Sequence, residues 1–68
     1  MLHDRLKEAR EKAELSQAEV AKSCGISQPA YFDIEHGNRY PSLAVAKRLA
    51  KMFDVSLDWL VGTDTDNA

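Results

Sequence analysis

Few side chains in this 68-residue sequence could carry catalysis or hold a metal ion. The cysteine is Cys24, and the histidines are His3 and His36. A closed zinc site needs four ligands and a nucleophile needs a neighbouring base, and neither set can be assembled from these residues. No Ser/His/Asp arrangement, phosphate-binding glycine loop or carboxylate pair is recognisable either. We therefore expect no enzymatic activity, metal, cofactor or small-molecule substrate, and we expect Cys24 to be a core residue.

The composition is typical of a small soluble domain. Hydrophobic residues make up 44% of the chain and charged residues 29%, as in ordinary globular proteins. A chain this short builds only one hydrophobic core. No uncharged run approaches the roughly 18 apolar residues of a membrane span, and residues 1–5 lack the apolar region of a signal peptide. These features predict one cytoplasmic domain without a membrane partner.

The charge distribution limits how the chain can bind a polyanion. The net charge is −2, but residues 1–61 carry nine basic and nine acidic residues, and two later aspartates supply the excess. Between residues 15 and 41 the basic residues are Lys22 and Arg39. Contact with a polyanion must therefore depend on individually placed charges and helix dipoles rather than on a diffuse positive field. The basic group Lys47, Arg48 and Lys51 is expected to be a solvated face.

The elements that would position these residues are helical. The first helix is indicated by an apolar stripe at steps of four and three, formed by Leu2, Leu6, Ala9 and Ala13. Ser16 and Glu19 have the spacing of a capping box and predict a second helix over residues 17–24. Its buried side would comprise Val20, Ala21 and Cys24. Gly25 follows, where a left-handed residue commonly ends a helix.

A short turn joins the second helix to the third. Only Ile26 separates Gly25 from Ser27, the next candidate N-cap, so the two helices must cross steeply. Pro29 falls in the first turn of the third helix, where its missing N–H is tolerated. This helix is predicted to run to about residue 36 and to stop at Gly37.

The third helix should have two different faces. At about 100° per residue, the inward residues are Ala30, Tyr31 and Ile34. The outward residues are Gln28, Pro29, Phe32, Asp33 and His36. An outward phenylalanine beside a proline has no role in an isolated fold, so this face is expected to contact another molecule.

Two further helices complete the predicted domain. Ser42 would cap a fourth helix ending near residue 52, with an inner face of Leu43, Ala46, Leu49, Ala50 and Phe53. Ser56 would cap a short fifth helix that buries Leu57, Leu60 and Val61 and ends at Gly62. Trp59 either completes the core or serves a dimer interface. Residues 1–62 are thus predicted to be the domain, and residues 63–68 a flexible tail or the start of a linker.

These motifs, in this order and spacing, resemble the lambdoid phage repressor/Cro-like (Xre) helix-turn-helix family. The matching segments are Ser16-Gln17-Ala18-Glu19-Val20-Ala21, Gly25-Ile26-Ser27-Gln28, Ile34-Glu35, Gly37, Pro41-Ser42 and Val55-Ser56-Leu57-Asp58-Trp59-Leu60. The resemblance implies an all-α, five-helix bundle that binds double-stranded operator DNA as a homodimer. It also implies a transcriptional regulator, either a repressor or a Cro-like switch protein.

The resemblance further implies roles for individual residues. Base reading is expected of Gln28, Pro29, Phe32 and Asp33. Phosphate binding is expected of Gln17, Ser27, Asn38, Arg39, Tyr40, Arg10, Ser42 and Lys22. Gln28 can bond adenine N6 and N7, Phe32 can lie against a thymine methyl, and Asp33 can accept from cytosine N4 or orient a neighbour. Arg10 and Glu35 are expected to form a structural ion pair between the first and third helices.

Several alternatives remain open. Gln28, Gln17 and the loop side chains could simply be solvated, and Phe32 could pack on Tyr40 or on a protein. The whole domain could be a protein-interaction module or antitoxin whose outward face binds a protein partner. It could also be the amino-terminal part of a longer repressor.

Overall fold

The structure, a computed structural model, describes residues 2–62, which form five α-helices and contain no strand. The helices are α1 (Leu2–Lys12), α2 (Gln17–Cys24), α3 (Gln28–Glu35), α4 (Leu43–Met52) and α5 (Leu57–Val61). This confirms the predicted all-α, five-helix fold. Within the described part of the chain, no helix has the length and apolar character needed to cross a membrane. The predicted tail, residues 63–68, lies outside the described residues.

Serine side chains begin four of the helices. The Ser16 hydroxyl accepts a hydrogen bond from the Glu19 N–H, and the Glu19 carboxylate accepts one from the Ser16 N–H, so the predicted capping box is confirmed. The Ser16 N–H holds the pKa of Glu19 below its usual value. The remaining three caps follow the same hydroxyl-to-N–H pattern and are Ser27, Ser42 and Ser56. Each cap satisfies a backbone donor that a helix start otherwise leaves unpaired.

The turn between α2 and α3 is closed by local and long-range hydrogen bonds. Gly25 has a φ of 74°, as predicted for the residue that ends α2. The Ile26 N–H donates to the Ala21 carbonyl at 3.0 Å. From α4, the Arg48 guanidinium donates to the Cys24 carbonyl at 3.0 Å. Arg48 is exposed, as expected of the solvated face that it shares with Lys47 and Lys51, but its head group also binds a carbonyl at the end of α2, which was not predicted.

One core joins all five helices. The largest side chains with almost no exposure are Tyr31, Leu6, Leu49, Leu60, Val20 and Cys24. α3 packs against α1 and α2, while α5 packs against α1 and α4. Cys24 is a buried free thiol whose pKa burial raises, in agreement with the predicted core role. The core therefore holds α3 by its inner face.

Two residues of the predicted apolar stripes lie outside the core. Ala13 is exposed because α1 ends at Lys12 and the chain then turns through Glu14, whose φ is 58°. Leu43 is 63% exposed because it is the first residue of α4, two residues before Val45, where that helix begins to pack against the core. Periodicity thus correctly predicted α1 and α4, but it assigned one exposed residue to the buried face of each: Ala13 just after α1 and Leu43 at the start of α4.

Trp59 is neither fully buried nor free. It packs against the core while remaining partly exposed. The Arg5 guanidinium lies over its ring, 5.1 Å from the centroid, and also donates to its carbonyl oxygen. Trp59 thus links α5 to α1 and packs against the core of its own domain, which was one of its two predicted roles.

Candidate nucleic-acid interface

The two faces of α3 differ as predicted, except that Ala30, expected to face inward, is partly exposed. Tyr31, Ile34 and Glu35 are buried among the other helices. Gln28, Pro29 and Phe32 are exposed on the opposite side, and Asp33 is partly exposed beside them. The helix is therefore fixed through one face and free to meet another molecule with the other.

The outward side chains surround a shallow depression. Its volume is about 340 Å³, and it is lined by Gln28, Pro29, Phe32 and Asp33. These four are the residues for which base reading was predicted, and the structure brings them together. The lining combines an amide, two apolar rings and a carboxylate. α3 itself carries no lysine or arginine.

Phe32 is held by a neighbour that sequence reasoning missed. Its ring stacks on that of His36, with centroids 3.9 Å apart and planes 20° from parallel. His36 Nδ1 in turn lies 2.9 Å from the Phe32 carbonyl oxygen. The signal was available, because residues four apart on a helix are neighbours. Phe32 remains 44% exposed, so the stack fixes the ring without covering it.

An ion pair joins α1 to the inner face of α3. Arg10 Nε and Nη2 each donate to a Glu35 carboxylate oxygen at 2.9 Å. Arg10 Nη1 donates to the Leu15 carbonyl, also at 2.9 Å. Glu35 is only 4% exposed. Each nitrogen of the Arg10 guanidinium is thus committed to the interior, and the ion pair expected of these residues is present.

Burial opposes the ionisation of Glu35, but the hydrogen bond and charge of Arg10 outweigh it. As a result, the pKa of Glu35 lies below its usual value. The same hydrogen bond raises the pKa of Arg10. Burial, together with the nearby Glu35 carboxylate, raises the pKa of the Tyr31 phenol. Both members of the pair are therefore charged near neutral pH, which a buried pair requires if it is to remain paired.

Gln17 places the start of α2 beside the anchored side of α3. Its Nε2 lies 3.4 Å from a Glu35 carboxylate oxygen and donates to it. Gln17 is the first residue of α2 and is partly exposed. The N-terminus of a helix carries a partial positive charge and unpaired N–H groups. The first turn of α2 is therefore oriented relative to α3 by a side-chain contact.

The loop after α3 is folded back on the end of that helix. The backbone N–H groups of Asn38 and Arg39 donate to the Asp33 carbonyl at 2.8 and 3.2 Å. Gly37 has a φ of 77° and lies under the His3 imidazole, which is 3.3 Å from where a Cβ would be. Arg39 is exposed, and Tyr40 is 69% exposed. The loop thus presents these two side chains from a fixed backbone.

The other predicted phosphate ligands have different surroundings. The Ser27 and Ser42 hydroxyls accept hydrogen bonds from the N–H groups of Ala30 and Val45, both at 3.2 Å. Lys22 is exposed on α2. Residues 2–62 hold no group of three or more histidine, cysteine, aspartate or glutamate side chains placed to bind a metal ion.

A short helix anchored by its inner face, preceded by a tight turn and a capped helix, defines a helix-turn-helix domain. A helix-turn-helix family model matches residues 6–60. The chain belongs to this family, in its Cro/C1 (Xre) type.

Curated relatives agree with this assignment. The uncharacterised HTH-type transcriptional regulator YqaE of Bacillus subtilis (strain 168) is 36% identical over 61 residues, 90% of this chain and 53% of YqaE. The cryptic phage CTXphi transcriptional repressor RstR of Vibrio cholerae is 30% identical over 98% of this chain and 60% of RstR. An uncharacterised HTH-type transcriptional regulator of Archaeoglobus fulgidus is 32% identical over 84% of this chain and 80% of that protein. The chain thus spans little more than half the length of YqaE and RstR.

A solved structure shares the fold. A chain of the SinR protein/SinI protein complex superposes with a TM-score of 0.85, covering 100% of this chain and 67% of that chain at 23% identity. At this identity the likeness concerns the fold alone.

Proposed function

We propose that this chain is the DNA-binding domain of a transcriptional regulator and that α3 enters the major groove of its operator. The observation that carries the proposal is the exposed depression on α3, on the face opposite the one that the core holds. A recognition helix needs this division, because it must be rigidly held while it presents side chains to base edges. The relatives named as transcriptional regulators support the same function.

In this proposal, contacts to the DNA backbone fix the register. They come from residues on either side of α3, namely Gln17, Lys22, Ser27, Asn38, Arg39, Tyr40 and Ser42. The first turn of α2 adds its dipole, which favours a phosphate. Arg10 acts indirectly, since its guanidinium holds Glu35 and so orients both α3 and Gln17. Such contacts position the protein without selecting a sequence.

Sequence selection is assigned to the lining of the depression. Gln28 lies in the first turn of α3 and is exposed. Its amide can both donate to adenine N7 and accept from adenine N6, a bidentate contact that distinguishes adenine from other bases. We place Gln28 on an adenine of the half-site.

Two copies of the chain would bind one operator. Helix-turn-helix dimers read half-sites whose centres are about 34 Å apart, one turn of DNA. Occupancy of such a site blocks transcription without any chemical step.

Selection of bound duplexes from random DNA by the full chain tests the proposal. We expect recovery of a common sequence, and affinity for it that falls steeply between about 50 and 200 mM salt, because phosphate contacts release counterions. Recovery of no common sequence, or binding that salt leaves unchanged, would overturn the proposal.

A protein partner is the second candidate for the outward face. The observation that favours it is the lack of basic residues on α3, combined with an exposed Phe32 and a carboxylate at Asp33. Such a face suits an apolar protein surface rimmed by donors. The same selection separates the candidates, since a pure protein-binding domain enriches no duplex.

A further inference from the structure

The depression on α3 has an unusual chemical lining for a DNA-reading surface. Arginine or lysine bound to guanine is the commonest specific contact in the major groove. α3 offers neither, and instead presents two apolar rings, Pro29 and Phe32, next to the Gln28 amide and the Asp33 carboxylate. The lining therefore points to bases other than guanine.

The charge of Asp33 also acts against guanine. Guanine shows two acceptors, N7 and O6, in the major groove. Asp33 is an acceptor when ionised, so a guanine beside it would bring acceptors together without a proton between them. The carboxylate lies at the edge of the same depression as the apolar rings. A guanine edge is therefore disfavoured directly opposite the Asp33 carboxylate, whereas the N4 amino group of a cytosine could donate to it.

The apolar rings need an apolar group to cover them. Among the base edges of unmodified DNA in the major groove, the C5-methyl of thymine is the apolar one. Phe32 is 44% exposed and borders the depression, and its ring is fixed by stacking on His36 at 3.9 Å. A ring already held in one orientation loses little further freedom on binding. Phe32 is thus a preorganised apolar surface at the site where α3 would meet bases.

We propose that Phe32 and Pro29 seat the C5-methyl group of a pyrimidine in each half-site, a thymine in unmodified DNA, and that His36 is the positioning residue for the Phe32 ring. This inference rests on the proposed function, because it specifies which chemical group the outward face of α3 reads. It assigns a role to His36 in addition to those of the four residues that line the depression.

The test replaces each thymine of the selected duplex, one at a time, with deoxyuridine, which lacks only the C5-methyl. Burying one methyl group is worth a change in affinity of about fourfold. We expect that loss at one thymine per half-site for the unaltered chain and no loss there for Phe32→Ala. For His36→Ala we expect a smaller loss than for the unaltered chain.

Leu43→Ala is the matched control, since Leu43 is also an exposed apolar residue but lies on α4, outside the depression. It should keep the full penalty for deoxyuridine. Because the readout is a ratio of two affinities from one preparation, partial unfolding of a variant does not alter it. A penalty that persists in Phe32→Ala, or that disappears equally in Leu43→Ala, would show that the methyl group is not seated on Phe32.

A second arm separates the two sources of a C5-methyl group. Replacing each cytosine with 5-methylcytosine should raise the affinity about fourfold at one position, in a Phe32-dependent way, if the seat also accepts methylated cytosine. Selective binding to the duplex with no Phe32-dependent effect in either arm would overturn this inference while leaving the proposed function intact. A lack of selective binding would instead remove the proposed function.

Discussion

Gln28 is the residue whose proposed role is most directly testable. Its side chain is exposed and contributes nothing to the core, so Gln28→Ala should leave the fold intact. Loss of a bidentate contact to adenine should cost about 1–3 kcal/mol at one base pair. We expect the variant to lose its preference at that pair while keeping its preferences elsewhere. Affinities for duplexes that differ at single base pairs measure this.

Gln28→Glu is a second test variant of matched size, because it keeps the length of the side chain but its carboxylate cannot donate to adenine N7. It should lose the same preference. An equal loss of affinity for every duplex in Gln28→Ala would assign Gln28 to the DNA backbone instead.

Arg39 should behave differently, because a phosphate contact carries no sequence information. We expect Arg39→Ala to weaken binding to all duplexes alike and to lower the slope of log affinity against log salt concentration by about one. Titrations at several salt concentrations measure the slope. Lys51→Ala makes the same change of charge near the end of α4, away from the proposed interface, and should leave the slope unchanged. Equal slopes for the two variants would contradict the role of Arg39.

Among the elements, α1 and α3 depend on the Arg10–Glu35 pair. Arg10→Ala leaves the Glu35 carboxylate buried without its partner, which should lower the free energy of unfolding by about 3–5 kcal/mol. Denaturant unfolding measures the change. The double variant Arg10→Met, Glu35→Met buries no charge and should be more stable than Arg10→Ala. If the double variant is less stable than the single one, the pair is not the source of the loss.

The same pair predicts how stability depends on pH. The pKa of Glu35 in the folded chain is below its usual value. Its ionised form therefore contributes stability above the unfolded pKa of about 4.3, and this contribution is lost as the pH falls through the folded pKa. In Arg10→Ala, burial without the partner should raise the pKa of Glu35 instead. The difference in stability between the two proteins should thus shrink between pH 7 and about pH 3, and a constant difference would contradict this account.

The elements were largely predictable because their ends depend on local chemistry. The Ser16–Glu19 box and Gly25 each act within one turn of helix, so their spacing in the sequence predicts the bounds of α2. The exposure of Leu43 was not predictable in this way, because it depends on where α4 first touches the core. The bond from Arg48 to the Cys24 carbonyl spans 24 residues and needs the packed fold.

In the candidate site, too, local patterns were predictable and contacts that depend on side-chain packing were not. Helical periodicity placed Gln28, Pro29, Phe32 and Asp33 on one face, and the structure confirms that they share a depression. The stack of Phe32 on His36 depends on side-chain rotamers, which periodicity does not specify. The partners of the Arg10 guanidinium were expected only in part, since Leu15 was not identified as an acceptor.

At the scale of the whole molecule, the proposal requires two copies on one face of the DNA. The domain measures 34 × 22 × 18 Å, and no dimension exceeds the spacing of about 34 Å between half-site centres. Inserting five base pairs between the half-sites rotates one of them by about half a turn and should abolish joint binding. Inserting about ten base pairs returns both half-sites to the same face of the DNA and should restore part of the joint binding. Electrophoretic shifts measure the occupancy, and independence from spacing would exclude a dimer with fixed geometry.

The division of α3 into a buried and an outward side also affects how this protein can be altered. Tyr31, Ile34 and Glu35 are buried and hold α3 in place, whereas the four side chains around the depression lie outside the core. If the proposed function is correct, replacing those four side chains should change what the helix recognises at little cost in stability. The same core could therefore carry a different recognition surface, and a different sequence preference could be engineered without changing the buried residues.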